Sequence, residues 1–265
     1  MKTFGFIGMG NMGYAMLKGL IKNIDKNEIT FSCATQEKKD KISVETGVIA
    51  AKDNKSTAND SRFLILAVKP QMYDIVISEI ADKISKEKII ISLSPAHSID
   101  SLKQKLGNDT RIIRAMPNTP ALICEAMTGV CLDESDYTVE EKALIEGFFT
   151  SFGSYRIVTE KLMNAVTCAS GSSPAYVYMF IEAMADAVVK HGMPREAAYE
   201  FVAQTVVGAG KMVLATKEHP GSLKDKVCSP GGTTIEGVAA LEEHGFRNSL
   251  IKAVDACFDK CNSIK

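Results

Sequence analysis

Phe4-Gly5-Phe6-Ile7-Gly8-Met9-Gly10-Asn11-Met12-Gly13 is the stretch on which the reading of this chain turns. Phe4 to Ile7 has the composition of a strand, and helical spacing of apolar residues begins at Asn11. Between them lies GxGxxG. In that setting the first glycine permits the strand-to-helix turn, and the second lets a pyrophosphate approach bare backbone. The third lets helix and strand pack closely, while the helix N-terminus offers free N–H groups and the positive end of a dipole. A glycine-rich turn without a ligand would share the motif but not its context. The expected contacts to a dinucleotide are therefore Ile7, Gly8, Met9, Gly10, Asn11 and Met12.

Outward from this motif, apolar runs alternate with helical patterns. Residues 4–8, 29–34, 62–68, 88–93 and 111–116 read as strands, and 11–22, 36–45 and 70–84 as helices. Near-continuous apolar strands separated by helices imply a parallel sheet covered on both faces. Residues 126–132 and 155–158, with a helix at 139–151 between them, extend the sheet in a direction the sequence leaves open. After Thr159 the strands stop, and 161–169, 174–190, 195–216, 233–243 and 246–262 all read as helices. The expected fold class is α/β: a Rossmann-like, mostly parallel sheet over residues 1–158, then an all-α domain over 159–265. Its helix from Pro174 is apolar nearly all round apart from Glu182 and Asp186. It is read as the core of a homodimer, with the centre of a monomeric bundle as the alternative.

Composition narrows the class of function. Lysine plus arginine number 31 against 32 aspartate plus glutamate, which leaves no basic footprint for nucleic acid. The apolar stretches are too short and interrupted to span a bilayer, and the glycine-broken start is no signal peptide. Seven scattered cysteines without a paired CxxC favour reduced thiols in a cytoplasmic protein and no metal site. Cys257 and Cys261, four apart, would need ligands from elsewhere, and all four histidines stand alone in the sequence. Packing is the expectation for them.

The second strand ends Cys33-Ala34-Thr35-Gln36 with no carboxylate at its tip, where one would bond the ribose hydroxyls of NAD. Thr35 and Gln36 can donate hydrogen bonds, and Lys38 or Lys39 can offset a 2′-phosphate, which favours NADP. Ala67, Val68, Lys69 and Pro70, then Leu93, Ser94 and Pro95, sit at the carboxyl ends of the following strands, where a bound nucleotide rests.

In the helical half, Cys228-Ser229-Pro230-Gly231-Gly232-Thr233-Thr234-Ile235 forces a loop ahead of a helix. A helix N-terminus furnished with three hydroxyls suits a small carboxylate, though an ordinary capped turn has the same composition.

Taken together, Phe6–Gly13, Ala67–Pro70, Met116-Pro-Asn-Thr-Pro120, Ser170-Gly-Ser-Ser-Pro-Ala-Tyr176, His219-Pro-Gly-Ser-Leu-Lys-Asp225 and Ser229–Ile235 resemble the pyrroline-5-carboxylate reductases over essentially the whole chain. The resemblance implies reduction of the cyclic imine L-1-pyrroline-5-carboxylate to L-proline by NADPH, or by NADH. Dimers through the helical domain, in some relatives assembled into decamers, are implied as well. So are a substrate site of Glu160, Ser229, Gly232, Thr233 and Thr234, with Thr234 Oγ on the ring nitrogen as the catalytic hydroxyl. Asn54 and Lys226 join the cofactor contacts on the same ground. Ser92-Leu-Ser-Pro-Ala96 departs from the family, whose members commonly carry small residues ending Ala-Gly; Pro95 removes a backbone donor there. The rival β-hydroxyacid dehydrogenases use a lysine in the interdomain helix, and residues 165–176 contain none. A nucleotide-sensing module without turnover is the other alternative, and it leaves the 229–234 loop unexplained.

Overall fold

The apolar runs become seven strands of one sheet: β1 (Lys2–Ile7), β2 (Ile29–Ser32), β3 (Ser61–Leu66), β4 (Ile89–Ser92), β5 (Arg111–Met116), β6 (Ala126–Cys131) and β7 (Gly153–Ile157). The structure, a computed structural model, describes residues 1–263. Strand order is β2-β1-β3-β4-β5-β6-β7. The first five run parallel, β6 is antiparallel to β5, and β7 is parallel to β6. The direction that the sequence left open follows from the connections. Only a short 3₁₀ turn, Thr119–Ile123, joins β5 to β6, too little chain for a crossover. A full helix joins β6 to β7 and returns the chain parallel.

Strand periodicity sorts the core into two layers. Phe4, Phe6, Phe31, Phe63, Ile65, Ile89 and Ile91 pack on one face against α1 (Asn11–Leu20). Between that helix and α6 come α2 (Gln36–Thr46), α3 (Asn54–Asp60), α4 (Tyr73–Ile80) and α5 (Ile99–Leu106). Phe148, Phe149 and Phe152, at the end of α6 (Val139–Thr150), complete the first layer. Ile7, Leu64, Leu66, Ile90 and Ile112 point to the opposite face, where α4 and α5 supply Tyr73, Val76, Ile80, Leu102 and Leu106. Such two-sided burial explains why these strands read as continuous apolar runs.

The sheet's two edges differ. β2 is flanked by a bridge from Phe31 to Ala50, with the Ala51 N–H donating to Phe31 O at 2.7 Å. β7 has no further strand beyond it among the described residues, and Ser154, Arg156 and Ile157 on it are exposed.

The chain divides into two compact units: Met1–Ser172 together with the chain from Phe258 onward, and Ser173–Cys257. The first unit includes α7 (Met163–Val166), which packs on the sheet through Gly129; a Cβ there would lie 2.5 Å from Val166 Cγ1. Residues 161–169, expected as one helix, are a 3₁₀ turn, α7 and a π-helical turn, Thr167–Gly171. The second unit holds α8 (Ser173–Lys190), α9 (Arg195–Thr216), α10 (Pro220–Val227), α11 (Thr233–Glu243) and the start of α12 (Phe246–Ser263). Its only buried apolar residues among those described are Ala185, Ala198 and Val202. Phe180, Met184, Val188, Phe201 and Val206 instead line an open apolar groove of about 280 Å³. No helix of the described residues is long and apolar enough to cross a membrane.

Candidate active site

The residues expected to meet a nucleotide lie at the carboxyl ends of β1, β3 and β4. The Ala67 N–H donates to Ile7 O at 2.9 Å, Gly8 N–H to Ser32 O at 3.0 Å and Leu93 N–H to Leu66 O at 3.4 Å, so these tips stand side by side. Here β1 lies between β2 and β3, the point at which strand order reverses and a crevice opens. Each glycine of the motif has its own geometrical reason. Gly8 sits at φ +98°, and a Cβ on it would lie 2.7 Å from Val68 Cγ1 and 2.8 Å from Ala67 O. A Cβ on Gly13 would strike Gly8 O. Around Gly10 nothing lies within 4 Å, which leaves its face open to a ligand's approach. Gly10 is also the N-cap of α1, with no side chain bonded to the first-turn amides, so those donors face outward.

The residues expected to grip the adenosine end are engaged with the protein. Thr35 accepts the Lys38 N–H at 3.4 Å as the N-cap of α2, and Gln36 donates to Asp40 at 2.7 Å. Lys39 donates to Lys52 O at 2.5 Å, and Lys38 is exposed. Asn54 accepts from Ser32 Oγ at 2.7 Å and donates to Glu79 at 2.8 Å, bracing the β2 tip. Lys69 is exposed, one residue before the turn that Pro70 opens. Behind β4, the Tyr73 hydroxyl donates to Leu66 O at 2.6 Å and accepts from Leu93 N–H at 2.9 Å. Burial pushes its phenol up to about 12, so it remains a neutral tie between the β3 and β4 tips.

In the helical unit, α10 ends at Cys228 and the Gly232 N–H donates to Ser229 O at 3.0 Å, closing a turn. Gly231 takes the left-handed conformation at φ +65°, and a Cβ on Gly232 would strike Ser229 Oγ. The amide expected to bind a carboxylate at Gly232 is therefore already used. Gly232 is the N-cap of α11 without a side-chain cap, and the amides of Thr233 and Thr234 begin that helix. Thr233 is exposed and Thr234 half-buried.

Comparison with known proteins identifies the family. Residues 160–264 match the pyrroline-5-carboxylate reductase dimerisation family, and 3–96 match the family described as NADP oxidoreductase coenzyme F420-dependent. A pyrroline-5-carboxylate reductase of Escherichia coli K12 is 45% identical over 265 residues, covering 99% of this chain and 98% of the relative. The chain belongs to the pyrroline-5-carboxylate reductase family. An archaeal member from Methanosarcina acetivorans is 40% identical across 96% of the chain and 94% of its own length. Among solved structures, the reductase from Coxiella burnetii has a TM-score of 0.90 at 31% identity, covering 100% of this chain and 98% of that one. The Plasmodium falciparum enzyme, solved with NADP bound, has a TM-score of 0.87 at 31% identity, covering 99% and 98%.

Other residues that the resemblance to the reductases singled out have visible engagements. Glu160 Oε1 accepts the Ile99 N–H at 2.8 Å and pairs with Arg114 at 3.0 Å, and Arg114 also donates to Pro95 O at 2.6 Å. Lys226 pairs with Glu218 at 2.5 Å. Asn118 of the Met116–Pro120 motif donates to Ser170 O and accepts from Met127 N–H, both at 3.0 Å, tying the end of β5 to the π-helical turn. The His219–Asp225 motif begins α10: the His219 ring accepts the Gly221 N–H at 3.0 Å and Pro220 takes the first turn. Packing alone was expected of the histidines; His219 is a helix cap, and His97 bonds two side chains. Cys168 is buried with its sulfur within 4.8 Å of that of Cys261, a neighbour that sequence spacing did not reveal.

Proposed function

We propose that this chain reduces L-1-pyrroline-5-carboxylate to L-proline with NADPH, the closing step of proline synthesis, and accepts NADH as the alternative donor. The observation that carries the reading is the full-length likeness to enzymes of that name from bacteria and archaea. The match to an NADP oxidoreductase family and the NADP-bound relative support the cofactor.

The crevice residues fit a dinucleotide. Gly10 leaves room that any side chain would fill, and the uncapped amides of Asn11 and Met12 provide donors for a pyrophosphate. Ile7, Gly8 and Met9 with Ala67, Val68, Lys69 and Pro70 form its walls, and Leu93, Ser94 and Pro95 flank the nicotinamide end. At the adenosine end, Thr35, Gln36 and Asn54 shape the β2 tip, with Lys38 available to a 2′-phosphate. When bound, the dinucleotide supplies the hydride. The family name attached to residues 160–264 makes the chain a homo-oligomer. A dimer that covers the groove of α8 and α9, with a decamer as the higher assembly and the cytoplasm as its place, completes the proposal. Functionally the boundary lies at 158/159, with 1–158 holding the nucleotide and 159–265 the substrate and the second subunit.

On the substrate side, the amides of Thr233 and Thr234 and the dipole of α11 hold the carboxylate, with Ser229 and Gly232 shaping the turn. Thr234 Oγ hydrogen-bonds the ring nitrogen as its charge changes. Protonation of the imine makes its carbon electrophilic, so orientation and one hydroxyl suffice. A threonine hydroxyl is a weak acid, and water completes the proton transfer. Glu160 holds Arg114 and the start of α5; on the resemblance to the reductases it joins the substrate contacts, and Lys226 the cofactor contacts.

NADPH oxidation followed with pyrroline-5-carboxylate, with 2-hydroxy acids and with no substrate tests the reading; turnover is expected with the imine alone. Thr234→Ala is expected to lose about 10²-fold in kcat/KM, and Thr234→Ser to recover most of it. Wild-type turnover and substrate affinity in Thr234→Ala would remove the assigned role.

A further inference from the structure

Two side-chain pairs that the proposed reaction does not use join the segments where the chain leaves and re-enters its sheet-bearing unit. That unit runs from Met1 to Ser172 and takes the chain up again at Phe258. On the leaving side is the π-helical turn Thr167–Gly171, which carries Cys168 at 2% exposure. The Asn118 side chain, donating to Ser170 O at 3.0 Å, ties that turn to the end of β5. On the returning side is the last stretch of α12, which carries the half-buried Cys261. Asn164 Nδ2 donates to Asn262 Oδ1 at 2.9 Å, and the sulfurs of Cys168 and Cys261 lie within 4.8 Å of each other. These two contacts independently place the same two segments side by side.

Both cysteines are thiols. A disulfide holds its sulfurs about 2.05 Å apart, so from the 4.8 Å limit an approach of up to about 2.7 Å is needed. Movement of one sulfur between staggered χ1 positions covers a distance of that order. The two thiols differ in access: a dissolved reagent can meet Cys261, whereas Cys168 reacts only with a sulfur brought to it. Those are the parts of an attacked and a resolving cysteine. Cys257 lies one turn before Cys261 on α12, where Cβ atoms four residues apart stand about 5–6 Å from one another. A disulfide spans about 3.5–4.5 Å between Cβ atoms, so an intact α12 forbids a bond within that pair.

We propose that Cys168 and Cys261 are a modification site for small-molecule disulfides, which convert the pair into a disulfide clasp between the leaving and returning segments. The Cys261 thiolate attacks one sulfur of the small disulfide; a mixed disulfide forms, and one small thiolate departs and takes up the proton that Cys261 released. Cys168 then attacks the Cys261 sulfur, its proton passing to the second small thiolate as that leaves. Two protein thiols are oxidised to one disulfide, and one small disulfide is reduced to two thiols. The clasp closes α8, α9, α10, α11 and most of α12 into a loop, and a cross-link over a long loop restricts the unfolded chain. This site goes beyond the reduction described above and does not depend on it.

The test treats reduced full-length protein with glutathione disulfide, blocks the remaining thiols with iodoacetamide and maps linked tryptic peptides by mass spectrometry without reductant. Cleavage after Lys260 separates Cys257 from Cys261, so the partner is read directly. Expected are a peptide pair joined through Cys168 and Cys261, and a denaturation midpoint that rises on oxidation and returns with dithiothreitol. Cys168→Ala should stop at the mixed disulfide, one glutathione on Cys261, with no rise in midpoint. Cys257→Ser should form the clasp as the wild type does. The wild-type map decides by itself where Cys168→Ala fails to fold. A mixed disulfide that persists on Cys261 of the wild type, a bond from Cys257 in place of either partner, or a clasp that leaves the midpoint unchanged would overturn the proposal. None of these readouts involves turnover, so a failure of the reductase reading would leave them unmoved.

Discussion

The sheet-bearing unit and the helical unit obey different economies of burial. In the first, aromatic and branched side chains close two layers around the sheet, and even the polar tips are tied by side-chain hydrogen bonds. In the second, four helices and the start of a fifth bury three apolar residues, while Met179, Phe201 and Leu214 are 68%, 66% and 78% exposed. A helical unit that buries so little apolar surface by itself cannot offset its own conformational entropy. One unit is complete as a single copy; on the proposed reading, the other is half of a shared core.

The largest expected effect attacks the shared core. Phe201→Glu places a charge in the groove beside Val202 and Met184, and should yield a monomer by sedimentation velocity with the helical unit unfolded. Dinucleotide binding by the sheet-bearing unit should survive in part. A monomer that kept a sharp unfolding transition for its helices would break the comparison.

Next in size is the ion cluster behind the sheet. Glu141 of α6, 2% exposed, accepts from Arg62 at 2.9 Å and from Arg111 at 2.8 Å, and forms a capping box with Thr138. Burial alone would push its carboxyl up, but the Thr138 amide and the two guanidiniums outweigh that and hold it below the usual range. A carboxyl depressed in the fold stabilises fully above its unfolded value, and that gain is lost as pH falls through the folded value. Glu141→Gln should cost about 3 kcal/mol at neutral pH, and the gap from wild type should close in acid. A gap independent of pH in denaturant titrations would show that the charge is not what binds α6 to the strands.

Much of this unit was legible in the sequence. Runs of Ile, Val, Phe and Leu marked the strands, because two-sided burial leaves no polar alternation, and the GxGxxG context marked the crevice. The short polar helix α3 was not legible. α3, Asn-Lys-Ser-Thr-Ala-Asn-Asp, buries only Thr57 and Ala58, so its one signal is the Asp53 cap. α5 was not read either, although Ser98 as N-cap and Leu102 and Leu106 four apart mark it. In the site, the hydroxyl loop was visible as composition. That Gly232 spends its amide on Ser229, and that Ser94, His97 and Asp74 meet, depends on turns and side-chain directions that no local pattern encodes.

Two smaller perturbations sharpen the account of the crevice. Tyr73→Phe removes the nearer of the two acceptors of the Leu93 amide, and the donor to Leu66 O, and should cost about 1–3 kcal/mol, read as a fall in the denaturation midpoint. It should also weaken NADPH binding, since the β4 tip loses its tie. Gly10→Ala meets no neighbour and should leave stability within about 0.5 kcal/mol, yet raise the NADPH dissociation constant tenfold or more, about 1.4 kcal/mol. Unaltered binding in Gly10→Ala would mean that the pyrophosphate does not cross that residue.

The unequal margins of the sheet have a practical sequel. Growth by one further strand is barred at β2, where Ala50 and Ala51 already occupy the backbone, whereas among the described residues no strand or bridge flanks β7. Misassembly in a crowded refolding mixture should therefore begin at β7, with Arg156 as its main deterrent, because a charged side chain on an outer strand discourages a second chain from zipping on. A tag or fused domain placed near residues 153–157 would act as a guard for the whole molecule.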